Sequence, residues 1–255
     1  PIDLLRQIMA AQKDQTSHTL KRVRAVGFNA TYASAEGASV LEDLAKLADG
    51  SYVGLDSSGL AGSEPYPVLD GTLNINANVY EDDVQKLRAT FPRLTLNITG
   101  NYYVKFADPE VKRIVASTWG DGVGITMAQV AAVTSFGGKF NKNTLIKKFN
   151  ELQYFTSVNN FGVYNGAGFY GCTALEEVTL PPTLKALKQQ DFSTCTALKK
   201  INLENIEDFG TGNTFYNCTS LTNVTLSNNV KKIPATCFNG CTSLYLDIPE
   251  SVEVI

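Results

Sequence analysis

The stretch FYGCTALEEVTL, residues 169–180, decides the fold of the C-terminal part of this chain. Its cysteine, Cys172, recurs as Cys195, Cys218 and Cys241, each time 23 residues further along the chain. The phenylalanine, threonine and leucine of the same stretch recur in the same register. A repeat of this length that contains Leu-x-x-Val/Ile-x-Leu is typical of leucine-rich repeats.

The repeat predicts a stack of short parallel strands. In the first copy, Val178 and Leu180 are expected to point inward, while Glu177 and Thr179 point outward. One copy cannot bury its apolar face alone, so neighbouring copies have to stack on it. We therefore predict an α+β solenoid over residues 158–255, in which repeats of 23 residues build a parallel sheet. The sequence ends on an apolar strip, which we expect further repeats or another surface to cover.

Four of the five cysteines lie in the repeat register, which raises the question of metal binding or disulfides. Zinc sites need paired ligands a few residues apart, and only Cys237 and Cys241 have that spacing, without a second pair or a histidine. Parallel side chains in a stacked column rarely adopt the torsion of a disulfide. We expect the cysteines to pack as small buried apolar residues, and we assign no metal and no cofactor.

The front of the chain is predicted as an N-terminal helix and linker over residues 1–37. Apolar residues of 2–26 fall near one helical face, and the small residues of 30–39 favour a loop. The helix either covers a neighbouring surface or forms a stem through which the protein becomes a homo-oligomer.

Residues 38–105 are predicted as an irregular, repeat-like α/β module. A first helix is expected before Gly50, and Leu73 and Ile75 alternate as in a strand. A helix over 81–90 and a strand over 94–98 follow. Strand, helix and strand at this spacing indicate a degenerate repeat.

The pattern Phe-x-x-Cys-Thr-x-Leu-x-x-Val-x-Leu at a period of 23 resembles the BspA-like leucine-rich repeats of gut Bacteroidales and related bacteria. Three upstream segments, 106–112, 119–126 and 149–156, resemble the helical entry module that often precedes such repeats, which we assign to residues 106–157. The resemblance thus covers residues 106–255. It implies a surface or secreted protein that adheres to host or bacterial ligands, and similar modules occur in prophage-encoded proteins of these bacteria.

Relatives of the entry module can carry an EF-hand-like calcium loop. Here Asp121 is the only carboxylate of the loop, and Gln129 stands where the closing glutamate would be. Because calcium affinity requires several carboxylates, we predict a metal-free structural turn between helices over 109–117 and 126–134.

Composition and motifs argue against catalysis and nucleic-acid binding. The net charge is −3, and no long run of Lys and Arg offers a phosphate-binding surface. No apolar segment is long enough to span a bilayer. The single histidine, His18, has no Ser or Cys motif nearby for a triad, and the glycines of 120–124 lack the dinucleotide-binding spacing. The acidic residues 81–83 suit a helix N-terminus. We predict that the protein is not an enzyme.

What remains is binding through the outward residues of the stacked strands. Glu177 beside Lys200 also suits a simple cross-strand ion pair, and Tyr245 is the one aromatic of the set. The candidate recognition surface for a protein or glycan ligand comprises Glu177, Thr179, Lys200, Asn202, Asn223, Thr225, Tyr245 and Asp247.

Two hypotheses follow. The first is a non-enzymatic adhesion protein, located extracellularly or at the cell surface. The second is a phage or prophage virion protein, such as a tail appendage, receptor-binding or decoration protein, which contacts other virion proteins. The second is prompted by the start at Pro1 and by the lack of an apolar signal-peptide core.

Overall fold

The computed structural model describes residues 25–32, 41–42, 44–45, 68–159, 161–162 and 168–255. The chain divides into two compact units, Pro1–Val104 and Lys105–Ile255. In the described part of the chain, no helix is long and apolar enough to cross a membrane.

The first unit contains a parallel three-stranded sheet. Its strands are β1 (Ala25–Tyr32), β2 (Val68–Ile75) and β4 (Leu94–Ile98), in the order β1-β2-β4. A second small sheet pairs β3 (Val79–Tyr80) with β5 (Tyr102–Tyr103), also in parallel. The strands predicted around Leu73 and over 94–98 are confirmed.

A helix, α1 (Glu81–Thr90), connects β3 with β4. Its first turn carries three acidic residues, which the helix dipole favours, and Arg88 lies in its last turn. Val84 and Leu87 of the helix are fully buried in a core that also contains Leu73 and Ile75 of β2. The predicted helix over 81–90 is therefore confirmed. Of the helix predicted before Gly50, residues 41–42 and 44–45 are helical, and the rest lies outside the described residues.

Two pairs of strands in the first unit also follow a step of 23 residues. Leu73 of β2 lies opposite Leu96 of β4, and Val79 of β3 lies opposite Tyr102 of β5. The step equals the spacing of the cysteines in the second unit, which supports the prediction of a degenerate repeat over 38–105.

The predictions for the front of the chain need one correction. Residues 25 and 26 were expected to end a helix and residues 30–32 to begin a loop, whereas all lie in strand β1. The cause is tertiary: β2, which begins 43 residues after Ala25, supplies hydrogen-bond partners along the whole of β1. The remaining part of the predicted helix, with His18, lies outside the described residues.

The second unit begins with two capped helices. The first, α2 (Pro109–Trp119), has Asp108 as N-cap and a proline in its first turn. The second, α3 (Met127–Ala132), starts with a capping box between Thr126 and Gln129. Both predicted helices are present, within a few residues of their predicted bounds.

A tight turn joins these two helices. The Asp121 carboxylate accepts hydrogen bonds from the backbone N–H groups of Val123 and Gly124, both at 3.0 Å. Asp121 therefore organises the turn itself, and Gln129 serves the helix cap. The predicted structural turn is confirmed.

Short parallel strands then build the solenoid. Strands β6 (Lys148–Phe149), β7 (Glu177–Val178) and β8 (Lys200–Ile201) form one sheet. Strands β9 (Asn223–Val224) and β10 (Tyr245–Leu246) form a second, and a bridge between Leu203 and Leu226 links the two repeats in between. Because β6 already pairs with β7, the ladder starts within the segment 106–157.

Two interior columns run through the solenoid. Five phenylalanine rings stack with centroids 5.3, 5.1, 5.5 and 5.3 Å apart; they are Phe140, Phe169, Phe192, Phe215 and Phe238. Beside them, each register cysteine donates its thiol hydrogen bond to the backbone carbonyl of a phenylalanine in the preceding repeat, always at 3.0 Å. The predicted packing role of the cysteines is confirmed.

Candidate binding surface

The outward strand positions form rows across neighbouring repeats. Lys200 lies opposite Glu177, and Tyr245 lies opposite Asn223. The residues that follow them in the strands, from Val178 to Leu246, turn inward and are buried or half-buried. The structure therefore places these four predicted residues on one side of the stacked strands.

Two of the predicted residues hold the repeats together. Asn202 accepts a hydrogen bond from the backbone N–H of Leu180 at 2.6 Å and donates one to its carbonyl at 3.2 Å. The Thr179 hydroxyl bonds to the Asn150 side chain at 3.1 Å. Both residues are half-buried, so they stabilise the ladder as well as bordering the surface.

Charged residues alternate in stripes across the first three strands. The pair Lys147 and Lys148 precedes the inward residue of β6, and pairs of glutamates (176 and 177) and lysines (199 and 200) take the same place in β7 and β8. The glutamate pair is thus flanked by a lysine pair on each side. We call these six residues the charge stripe.

Two ion pairs join neighbouring strands within the charge stripe. Lys199 Nζ lies 2.9 Å from Glu176 Oε2, and Lys148 Nζ lies 3.5 Å from Glu177 Oε2. The hydrogen bond from Lys199, together with its charge, lowers the pKa of the Glu176 carboxyl. The ion pair of Glu177 is therefore formed with Lys148 of β6, and not with Lys200 as the sequence suggested. Glu176 and Lys199 were not among the residues predicted from the sequence, although the pairs of like charges recur at one position of the repeat.

The last repeat supplies the apolar part of the surface. The Tyr245 side chain is 70% exposed, and Ile248 nearby in sequence is 45% exposed. Asp247, between them in sequence, is exposed as well. Large exposed aromatic residues are common anchors in protein interfaces, so Tyr245 stays the first contact to test.

Two of the buried cysteines, Cys172 and Cys237, are poor nucleophiles. Burial raises the pKa of the Cys172 thiol and of the Cys237 thiol to about 12 each. Because the thiolate is the reactive form, both remain protonated at neutral pH. In the part of the chain that the structure describes, no group of three or more His, Cys, Asp or Glu residues could hold a metal ion.

One further acidic group is buried. Asp191 is 1% exposed, and burial raises the pKa of its carboxyl to about 6. Its oxygens accept hydrogen bonds from the backbone N–H groups of Gly168 and Lys188. Because both partners are backbone groups, Asp191 has a structural role in joining two repeats.

Residues 139–255 match the family model described as the BspA type leucine rich repeat region, in six copies. No curated protein and no solved structure matches the chain significantly. The match confirms the leucine-rich repeats and their BspA-like type, and it begins in the segment assigned to the entry module. Residues 139–255 are therefore similar to leucine-rich repeats of the BspA type.

Proposed function

We propose that this protein is a non-enzymatic binding or adhesion protein, whose leucine-rich repeats recognise a protein or glycan ligand outside the cell. The observation that carries the proposal is the row of outward residues along the stacked strands, from Glu177 of β7 to Tyr245 of β10. A solenoid presents such residues as one extended surface. The match to leucine-rich repeats supports a general protein-binding or adhesive role.

The surface offers two kinds of contact. The charge stripe gives alternating cationic and anionic groups, which favour a ligand of complementary charge pattern and suppress wrong partners. The Tyr245 ring, 70% exposed, offers an aromatic anchor at the other end of the row.

The test applies the labelled full chain to an array that carries extracellular host proteins and host glycans. We expect binding to at least one ligand, and we expect the triple variant Lys200→Ala, Asn223→Ala and Tyr245→Ala to lose it. The matched control is Lys188→Ala, Tyr216→Ala and Asn239→Ala, which removes the same residue types from exposed positions outside the strands. Equal losses in both variants, or no ligand for the wild-type chain, would refute the proposal.

Location separates adhesion from the virion alternative. We propose display at the cell surface, where antibodies against the chain should label intact cells. Recovery of the intact chain from purified virions by mass spectrometry would instead favour a virion component.

A further inference from the structure

Six amide and hydroxyl side chains lie at alternate positions over residues 72–76 and 95–99 of the first unit. Leu73 and Ile75 of β2 are fully buried, so the alternate residues of this strand face the other way. Strand β4 repeats the pattern at the same register. We call this surface the amide face; it comprises Thr72, Asn74, Asn76, Thr95, Asn97 and Thr99, all exposed or half-buried.

Hydrogen bonds between neighbouring strands hold this face in order. Asn97 Nδ2 donates to Asn74 Oδ1 at 2.9 Å, and the Thr99 hydroxyl donates to Asn76 Oδ1 at 3.1 Å. One row further, Asn78 Oδ1 accepts from the backbone N–H of Asn101 at 2.8 Å. The side chains are thus oriented before a ligand arrives, which reduces the entropic cost of binding.

The chemistry of the amide face selects among ligand classes. None of its six side chains is ionisable, so these side chains themselves offer no compensating charge to a phosphate or another charged ligand. None is aromatic or large and apolar, so the face lacks the anchors that dominate protein interfaces. By contrast, amides and hydroxyls both donate and accept hydrogen bonds.

We propose that the amide face binds neutral oligosaccharides. Sugar hydroxyls are uncharged and act as both donors and acceptors, so they match the amide and hydroxyl groups of the face without desolvating a charge. The rows lie about 4.8 Å apart between strands and about 7 Å apart along them, which lets a chain of sugar rings contact several rows. The site is separate from the surface proposed above, and either can fail without the other.

The test is isothermal titration calorimetry on the full chain with cellohexaose, xylohexaose, mannohexaose and maltohexaose, and with hexagalacturonate as the anionic control. We expect at least one neutral hexasaccharide to bind, with an affinity that added salt leaves unchanged, because no charges are involved. The double variant Thr95→Val and Asn97→Ala should weaken this binding by about tenfold or more, since two polar contacts are removed.

The matched control is Asn223→Ala and Thr225→Val, the same substitutions on the outward face of the second unit. This control variant should bind the hexasaccharide with the same affinity as the wild type. Thermal unfolding checks that both variants fold, and Thr95→Val alone, which keeps a β-branched side chain in the strand, serves if the double variant does not. The proposal is overturned if none of the neutral sugars binds, if hexagalacturonate binds better than all of them, or if the control weakens binding as much as the test variant. The last outcome would instead place the sugar on the outward strand residues of the second unit, and it would not contradict the function proposed for that surface.

Discussion

The Asp108 carboxylate accepts a hydrogen bond from the backbone N–H of Lys147 at 2.7 Å, although 39 residues separate them. The same oxygen accepts from Lys148 N at 3.2 Å. In the next two repeats, the corresponding pairs of N–H groups donate to one backbone carbonyl of the preceding repeat, that of Lys147 or of Glu176. Asp108 therefore takes the place of a preceding repeat and satisfies the edge of the sheet with a side chain.

We predict that Asp108→Ala destabilises the second unit by about 3 kcal/mol, because it removes an N-cap and leaves two further backbone donors unpaired. The other carboxylate oxygen of Asp108 caps α2 through the N–H groups of Glu110 and Val111. Urea unfolding measures the loss. The control is Asp208→Ala, an exposed residue that accepts from Gly210 N, for which we expect about 1 kcal/mol or less. Equal losses would mean that Asp108 has no special role at the sheet edge.

The burial of the five cysteines predicts the order in which their thiols react. Cys241 is half-buried, whereas Cys172, Cys195, Cys218 and Cys237 are at most 1% exposed. We expect iodoacetamide to label Cys241 first in the folded protein at neutral pH, and the other four only after unfolding. Peptide mass spectrometry at successive times reads out the order. Early labelling of Cys195, which has a cysteine on each side of it in the stack, would contradict the interior column.

Asp191 predicts a pH dependence of stability. Its pKa is about 6 in the folded protein against an ordinary value of 3.8, so the folded state binds the proton more tightly than the unfolded state does. The contribution of Asp191 to the free energy of unfolding is therefore fully present below about pH 4. It is lost as the pH rises through 6, by up to about 3 kcal/mol.

The measurement for Asp191 compares urea unfolding of the wild type and of Asp191→Asn at several pH values between 4 and 7. The variant cannot titrate at this position, so the difference between the two proteins isolates the contribution of Asp191. We expect wild-type stability relative to the variant to fall as the pH rises through this range. A difference that stays constant with pH would show that the carboxyl titrates normally.

The charge stripe predicts a small, salt-dependent contribution to stability. Lys199→Glu replaces the partner of Glu176 with a like charge, and we expect only a small loss of stability, because both side chains are substantially exposed and solvent screens their charges. The same change at exposed Lys139, outside the stripe, should cost close to nothing. Thermal unfolding at low and high salt should show the difference between the two variants shrinking as salt screens the charges. A difference that is independent of salt would mean that packing, and not charge, is responsible.

Much of the solenoid was predictable from sequence. The step of 23 residues, the inward Val178 and Leu180, and the packed cysteines all follow from a periodic pattern, because every copy repeats the same local environment. The helix α1 and strand β4 were predictable from apolar spacing and from the acidic start of the helix. The charge stripe could also have been predicted, since its pairs of like-charged residues occupy the same position in successive repeats.

Only the tertiary structure decided the contacts that join distant segments. The sequence around β1 favoured a helix and a loop, and its pairing with β2 across 43 residues made it a strand. Asp108 caps the helix that directly follows it, but the repeat edge that it also covers lies 39 residues further along the chain. The Asn74–Asn97 pair depends on the register of two strands that lie outside the matched repeat region. Periodic burial is encoded locally by residue type and spacing, whereas the choice of a distant hydrogen-bond partner depends on which surfaces the folded chain brings together.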